Sequence, residues 1–132
     1  EADFDRLIDL DPSIVNARSA RAMLRENRGD AKGALADLDE ALKLEPSNAS
    51  NLSNRGAMRL NTGDIAGALA DFDEALRLKP DQPGTLFMRA QGRGAVGDLP
   101  GMRIDLERAL EVAPADWSQR TDAEDLLRQV PR

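Results

Sequence analysis

Apolar residues along the chain recur at three- and four-residue steps, and nowhere in the strict alternation that marks a half-buried strand. Ala34, Leu35, Leu38, Ala41 and Leu42 form one such stripe, and Ala68, Leu69, Phe72, Ala75 and Leu76 form another 34 residues later. At 3.6 residues per turn each stripe lies on one face of a helix, so each helix is predicted to bury one side. The punctuation between stripes is equally regular. Gly29-Asp30, Gly63-Asp64 and Gly97-Asp98 place a glycine where one helix ends and a short carboxylate where the next begins. Pro46, Pro80 and Pro114 push the preceding residue out of the helical region and close each second helix. The pattern therefore predicts helix, tight turn, helix, repeated, with no strands.

The repetition is exact in spacing. Pro12, Pro46, Pro80 and Pro114 fall 34 apart each time, and residues 29–47 and 63–81 are identical at 13 of 19 positions. Residues 97–115 form a looser third copy. Small residues hold fixed places in the unit, where they let antiparallel helices approach while Leu and Phe fill the spaces between. The period, the small residues at Ala22, Gly56 and Ala90, the alanines at Ala34 and Ala68, the bulky Leu38, Phe72 and Leu106, the series Ala41, Ala75 and Ala109, and the closing proline together resemble the tetratricopeptide repeat.

That resemblance implies an all-α fold, a right-handed α-solenoid of helix-turn-helix units in a single domain, 1–132. Residues 1–14 would be the second helix of a truncated repeat. Full repeats would span 15–48, 49–82 and 83–116, with a C-terminal capping helix at 117–132. The chain departs from the family in its first helices, where the usual aromatics are replaced by Arg18, Leu52 and Leu86 and by Arg25, Arg59 and Arg93. The resemblance also implies a concave groove lined by first helices. Its binding positions carry Asn16, Ser19, Ala20 and Met23, then Ser50, Ser53, Asn54 and Ala57, then Phe87, Met88 and Gln91. Asn and Ser suit hydrogen bonds to an extended peptide backbone. Phe87 and Met88 suit an apolar pocket, or else pack on a neighbouring helix. Some relatives grip a terminal carboxylate with Lys, Arg and Asn at these positions; only Asn54 matches here, so that clamp does not carry over.

Charge adds a second series. Arg21, Arg55 and Arg89 are each followed four residues on by Arg25, Arg59 and Arg93, a spacing at which like charges share a helix face and repel. Asp37, Asp71 and Asp105 on the second helices keep the same step, so Arg–Asp pairing within or between units is expected. Fifteen of the 18 basic residues are Arg, whose planar fork matches a carboxylate better than Lys does. A structural ladder and a ligand-facing anion site are both compatible with this series.

Composition removes much else. With no His, Cys or Tyr there are no thiolate nucleophiles, no Cys or His metal ligands and no disulfides. No metal or cofactor is expected, and no enzyme. The net charge of −6 and the lack of a basic tract argue against nucleic acid, and no apolar run is long enough to insert in a membrane. Gly92 to Gly97 spells G-x-G-x-x-G, but without the strand a dinucleotide site requires. Asp37 with Asp39, and Asp71 with Asp73, point about 200° apart on a helix and make no catalytic dyad. Arg28-Gly29-Asp30 is a repeat turn rather than an adhesion motif.

At the C-terminal end Trp117, Ala123, Leu126, Leu127 and Val130 suit a closing helix with a charged outer side. At the other end Phe4, Leu7, Ile8 and Leu10 call for cover from an upstream helix or a second copy. Residue 1 is Glu, so the chain reads as a processed or excised piece, soluble, and cytoplasmic or else secreted or periplasmic. The expected function is a non-catalytic protein–protein interaction module that binds a peptide, helix or protein surface in its groove. The alternative is a structural or weakly self-associating module that uses the N-terminal half-repeat.

Overall fold

The computed structural model of the chain describes residues 15–27 and 29–131, and all regular structure among them is helical. Seven helices follow in order: α1 (Val15–Asn27), α2 (Ala31–Leu44), α3 (Ala49–Asn61), α4 (Ile65–Leu78), α5 (Pro83–Ala95), α6 (Leu99–Val112) and α7 (Arg120–Gln129). They pack as three hairpins, α1 with α2, α3 with α4 and α5 with α6, each resting on the next, with α7 against α6. This is an all-α helical repeat fold. The calls on residues 1–14, including Phe4, Leu7, Ile8 and Leu10, lie outside the described residues, as does Arg28.

The turn inside each hairpin is the same device used three times. Gly29, Gly63 and Gly97 take φ of +80°, +92° and +83°, a left-handed conformation that costs glycine nothing and other residues strain. The following aspartate then serves both helices. Its N–H bonds back to the carbonyl of Arg25, Arg59 or Arg93 at 2.7 to 2.8 Å. Its side chain accepts from the N–H of Gly33, Gly67 or Gly101 at 3.0 Å and so caps the second helix. Loss of such a cap typically costs about 0.5–2 kcal/mol. Asp64→Ala is accordingly expected to lower the urea midpoint with an unchanged slope; an unmoved midpoint would show that the cap is dispensable.

Burial follows the stripes. The core is a row of local clusters, each shared by neighbouring helices, as expected where every unit touches only its neighbours. Leu42, Leu52 and Ala75 join α2, α3 and α4, and Leu76, Leu86 and Ala109 repeat the arrangement one unit on. The last cluster collects Phe87, Ala90, Met102, Leu106, Ala123 and Val130, with Leu126 and Leu127 packed on it. Trp117 belongs to the turn before α7 rather than to the helix, because Trp117 N–H bonds Pro114 O and the ring is held edge-on to Phe87. Arg120 fixes α7 to the end of α6 by donating to the carbonyls of Ala113 at 2.9 Å and Pro114 at 3.2 Å, where a cation suits exposed helix carbonyls. α5 runs through Gly92 and Gly94, so the G-x-G-x-x-G segment is helical up to Ala95 with no strand before it among the described residues.

Candidate functional site

First helices of successive hairpins face one another at one place in particular. α3 touches α5, and Ser53 Oγ lies 2.7 Å from Thr85 Oγ1, a hydroxyl pair that ties the two helices. Around that pair a polar pocket of about 150 Å³ opens, walled by Ser50, Ser53 and Asn54 of α3, Ala75 of α4, Thr85 of α5, and Lys79 and Gln82 from the connection between α4 and α5. The positions come directly from helical spacing, because Ser50, Ser53 and Asn54 stand three and four residues apart on one face. Among the described residues neither the Asn54 carboxamide nor the Lys79 ammonium has a hydrogen-bond or ion-pair partner. The pocket therefore offers donors and an acceptor that the protein itself leaves unused.

The remaining groove positions separate. Ser19 and Met23 lie on α1, Ser19 half-buried and Met23 exposed; the side chain of Asn16 lies outside the described residues. Met88 is half-buried and Gln91 exposed on α5. Phe87 is only 5% exposed, packed edge to face on Trp117 with ring centroids 6.0 Å apart. It is a core residue, because the turn before α7 folds the indole over the helix face that Phe87 would otherwise present. Of the two readings open to it, Phe87 thus packs on a neighbouring element. An apolar pocket does exist farther along α5, between Gly94 and Ala95, Leu99 and Met102 of α6, and Leu126 and Val130, with Gln91 and Gln129 at its rim. Its volume is about 430 Å³. The sequence signal for it is weak: two small residues at the end of α5 beside Leu99, which is 38% exposed.

The arginine series forms one ion-pair cluster in each hairpin. Arg55 donates Nε to Asp71 Oδ2 at 3.0 Å and Nη2 to Asp71 Oδ1 at 2.8 Å, a two-pronged contact within one hairpin. Its third nitrogen, Nη1, reaches back 3.0 Å to Asp39 of the preceding hairpin. Arg89 repeats this with Asp105 at 2.9 and 2.8 Å and with Asp73 at 3.0 Å. Arg21 makes the same two-pronged contact with Asp37, at 2.9 and 2.6 Å. Arg25, Arg59 and Arg93 each add one more bond to the same buried carboxylate, at 3.2, 3.0 and 3.0 Å. The like charges four apart thus share one acid, and Arg55 and Arg89 gain a second carboxylate from the preceding hairpin.

Hydrogen bonding to Asp71 and to Asp105 raises Arg55 and Arg89 above the ordinary arginine range, against the opposing effect of burial, so both stay charged. Asp39 and Asp73, discounted as members of a dyad, each add an ion pair to the following hairpin. Their two-residue offset from Asp37 and Asp71 turns them toward the next unit. Nε, Nη1 and Nη2 of Arg55 and of Arg89 each donate to a carboxylate of the protein itself.

Among the described residues no group of His, Cys, Asp and Glu is arranged to hold a metal ion, and no helix is long and apolar enough to cross a membrane. The self-association reading rests on residues 1–14 and lies outside the described residues.

Residues 1–49 and 19–83 match the family model of the tetratricopeptide repeat, together residues 1–83 of the 132. No curated protein matches the chain. Among solved structures, the first TPR of Spaghetti (RPAP3) bound to the HSP90 peptide SRMEEVD superposes with a TM-score of 0.81 at 21% identity, covering 88% of this chain and 89% of that one. The Arabidopsis OM64 TPR domain gives 0.79 at 21% identity, over 87% and 94%. The TPR2B domain of yeast Sti1, in complex with pHsp70, gives 0.81 at 19% identity, over 88% and 94%. At these identities the likeness is one of fold.

Proposed function

We propose that this chain, which belongs to the tetratricopeptide repeat family, is a non-catalytic interaction module that holds an extended peptide segment of a protein partner along the face formed by α1, α3 and α5. The observation that carries the reading is the pocket between α3 and α5, where Asn54, Ser50, Gln82 and Lys79 surround open space and Asn54 and Lys79 have no internal partner. An extended peptide presents unpaired N–H and C=O groups every few ångströms, and a carboxamide can satisfy one of each. The RPAP3 and Sti1 relatives, solved with an HSP90 peptide and with pHsp70, support a peptide as the kind of partner. The mechanism is equilibrium binding to a groove set in advance by the hairpins, so little ordering cost falls on the protein itself.

Calorimetric titration with peptides, SRMEEVD among them, tests this. Asn54→Ala together with Ser50→Ala is expected to weaken binding about tenfold, or about 1.4 kcal/mol, with helicity by circular dichroism unchanged. Affinity that survives both substitutions would move the site off this face. The replaced side chains are half-buried or exposed and anchor no cluster, so the fold is expected to tolerate them.

A further inference from the structure

One edge of the fold changes character along the repeat. Where each hairpin turns, the chain carries Asn27 and Arg28 in the first unit, Asn61 and Thr62 in the second, and Ala95 and Val96 in the third. Val96 is 58% exposed, and Leu99, three residues on, is 38% exposed. Both belong to the edge of the apolar pocket between α5, α6 and α7, since Ala95 and Leu99 line it on either side of Val96 in the chain. Pro131 adds a further apolar wall from the chain beyond α7. An exposed apolar group and an apolar hollow of about 430 Å³ therefore lie side by side.

The chemistry of this patch suits a copy of itself. No charged side chain lines the pocket, in contrast to the clefts that hold Asp39 with Arg55 and Asp73 with Arg89. Among the described residues, its charged neighbours in the chain are engaged elsewhere. Asp98 lies 3.9 Å from Arg93, which also bonds Asp105; Arg128 is engaged by Asp125; and Arg103 lines a different cleft. Two identical patches can thus meet without opposing like charges, although the chain as a whole carries −6. Gln91 and Gln129 stand at the rim, and among the described residues neither carboxamide has a partner. A carboxamide holds both a donor and an acceptor, so it is complementary to another of its kind.

We propose that this patch is a two-fold interface between two copies of the chain, in which Val96 and Leu99 of each copy cover the pocket of the other. A two-fold axis makes every contact twice, so one exposed apolar group beside one hollow is enough to build a closed pair. The Gln91 and Gln129 carboxamides form a polar rim around the apolar centre and hydrogen-bond across it. A patch of this kind, on the order of a few hundred Å² per copy, supports a weak and reversible dimer. It shares no residue with the α3–α5 pocket, so its fate is separate from that of the groove reading.

Sedimentation of the full chain from about 10 μM to about 1 mM, in low and in high salt, tests this. The weight-average mass is expected to rise with concentration, and the pairing to hold or tighten as salt screens the repulsion between two acidic chains. In a mixture of ¹³C-labelled and unlabelled chains, isotope-filtered NMR is expected to show contacts from the Val96 methyls to Met102 and Leu126 of the other copy. Val96→Glu is expected to weaken the pairing at least about tenfold, because each copy would then bury a carboxylate, whereas Val96→Ile retains it. Val96 is exposed and belongs to no core cluster, so both variants keep the fold, with circular dichroism as the check. Asn54→Ala, which acts on the groove, leaves the pairing in place. A chain that stays monomeric at the top of the range, pairing undiminished in Val96→Glu, or pairing that falls as salt rises would each overturn the proposal.

Discussion

Asp71→Ala is expected to destabilise the chain by about 3–5 kcal/mol, because it strands two partly buried guanidiniums at once. The carboxylate accepts from Arg55 twice and from Arg59 once, and its side chain is only 5% exposed. Removing it leaves Arg59 with only a 3.8 Å approach to Asp64, and Arg55 with only Asp39. Asp73→Ala makes the contrast. That carboxylate is 62% exposed, so its bond to Arg89 is screened by water and its loss is expected to cost under about 1 kcal/mol. A third variant separates the pair's worth from the penalty of breaking it. Replacing Arg55, Arg59 and Asp71 together with Leu or Met removes every charge of the triad, and such replacements are often neutral or stabilising. Urea denaturation of the three proteins decides the matter: if Asp71→Ala lies within 1 kcal/mol of the parent, the carboxylate is not what holds the two arginines in the hairpin.

This network shows where sequence reasoning reaches and where it stops. Helices and turns were legible because their causes are local: Gly63 and Asp64 make the turn between α3 and α4 with their own backbone and side chain, and the apolar stripes name their buried face. The repeat adds the packing, since a 34-residue period fixes which faces meet. The arginine series was visible as a charge anomaly, four apart and three times over. Pairing between units was expected, but not its acid, because the partner of Arg55 Nη1 is Asp39, a residue whose direction depends on the angle between hairpins rather than on its own helix.

Phe87 marks the same limit. Its place on α5 reads as a groove position, and the packing of α6, α7 and the Trp117 ring around it makes it core. Lys79 escaped notice for the opposite reason. It follows α4 at the cap, outside any periodic pattern, and reaches the pocket only because α5 starts four residues later.

Phe72 provides the second large effect. It is fully buried, and the ring lies against the backbone of Gly56, where an added methyl carbon would fall 2.5 Å from Cε1. Phe72→Ala is expected to cost about 3–5 kcal/mol through the cavity it leaves. The repeat shows how the same space is filled elsewhere. The first hairpin sets Ala22 against Leu38, and the third sets Ala90 against Leu106, each pair fully buried. One unit uses a smaller residue with a larger one, and two use a larger with a smaller. Gly56→Ala alone is therefore expected to overpack, at about 1–3 kcal/mol, offset in part by the roughly 1 kcal/mol that alanine gains over glycine within a helix. Phe72→Leu alone underpacks.

The double variant Gly56→Ala/Phe72→Leu rebuilds the neighbours' solution and is expected to lie well above the sum of its parts, with a coupling of about 1 kcal/mol or more. Denaturation midpoints of the singles and the double give the coupling directly, and simple additivity would mean that the contact does not govern this hairpin. The consequence extends to binding, because α3 carries Asn54 and Lys79 caps the C-terminus of α4. Asn54 sits two residues from Gly56, and Lys79 ends the helix that holds Phe72. A hairpin loosened by Phe72→Ala should lose peptide affinity along with stability, whereas the compensated pair should recover both.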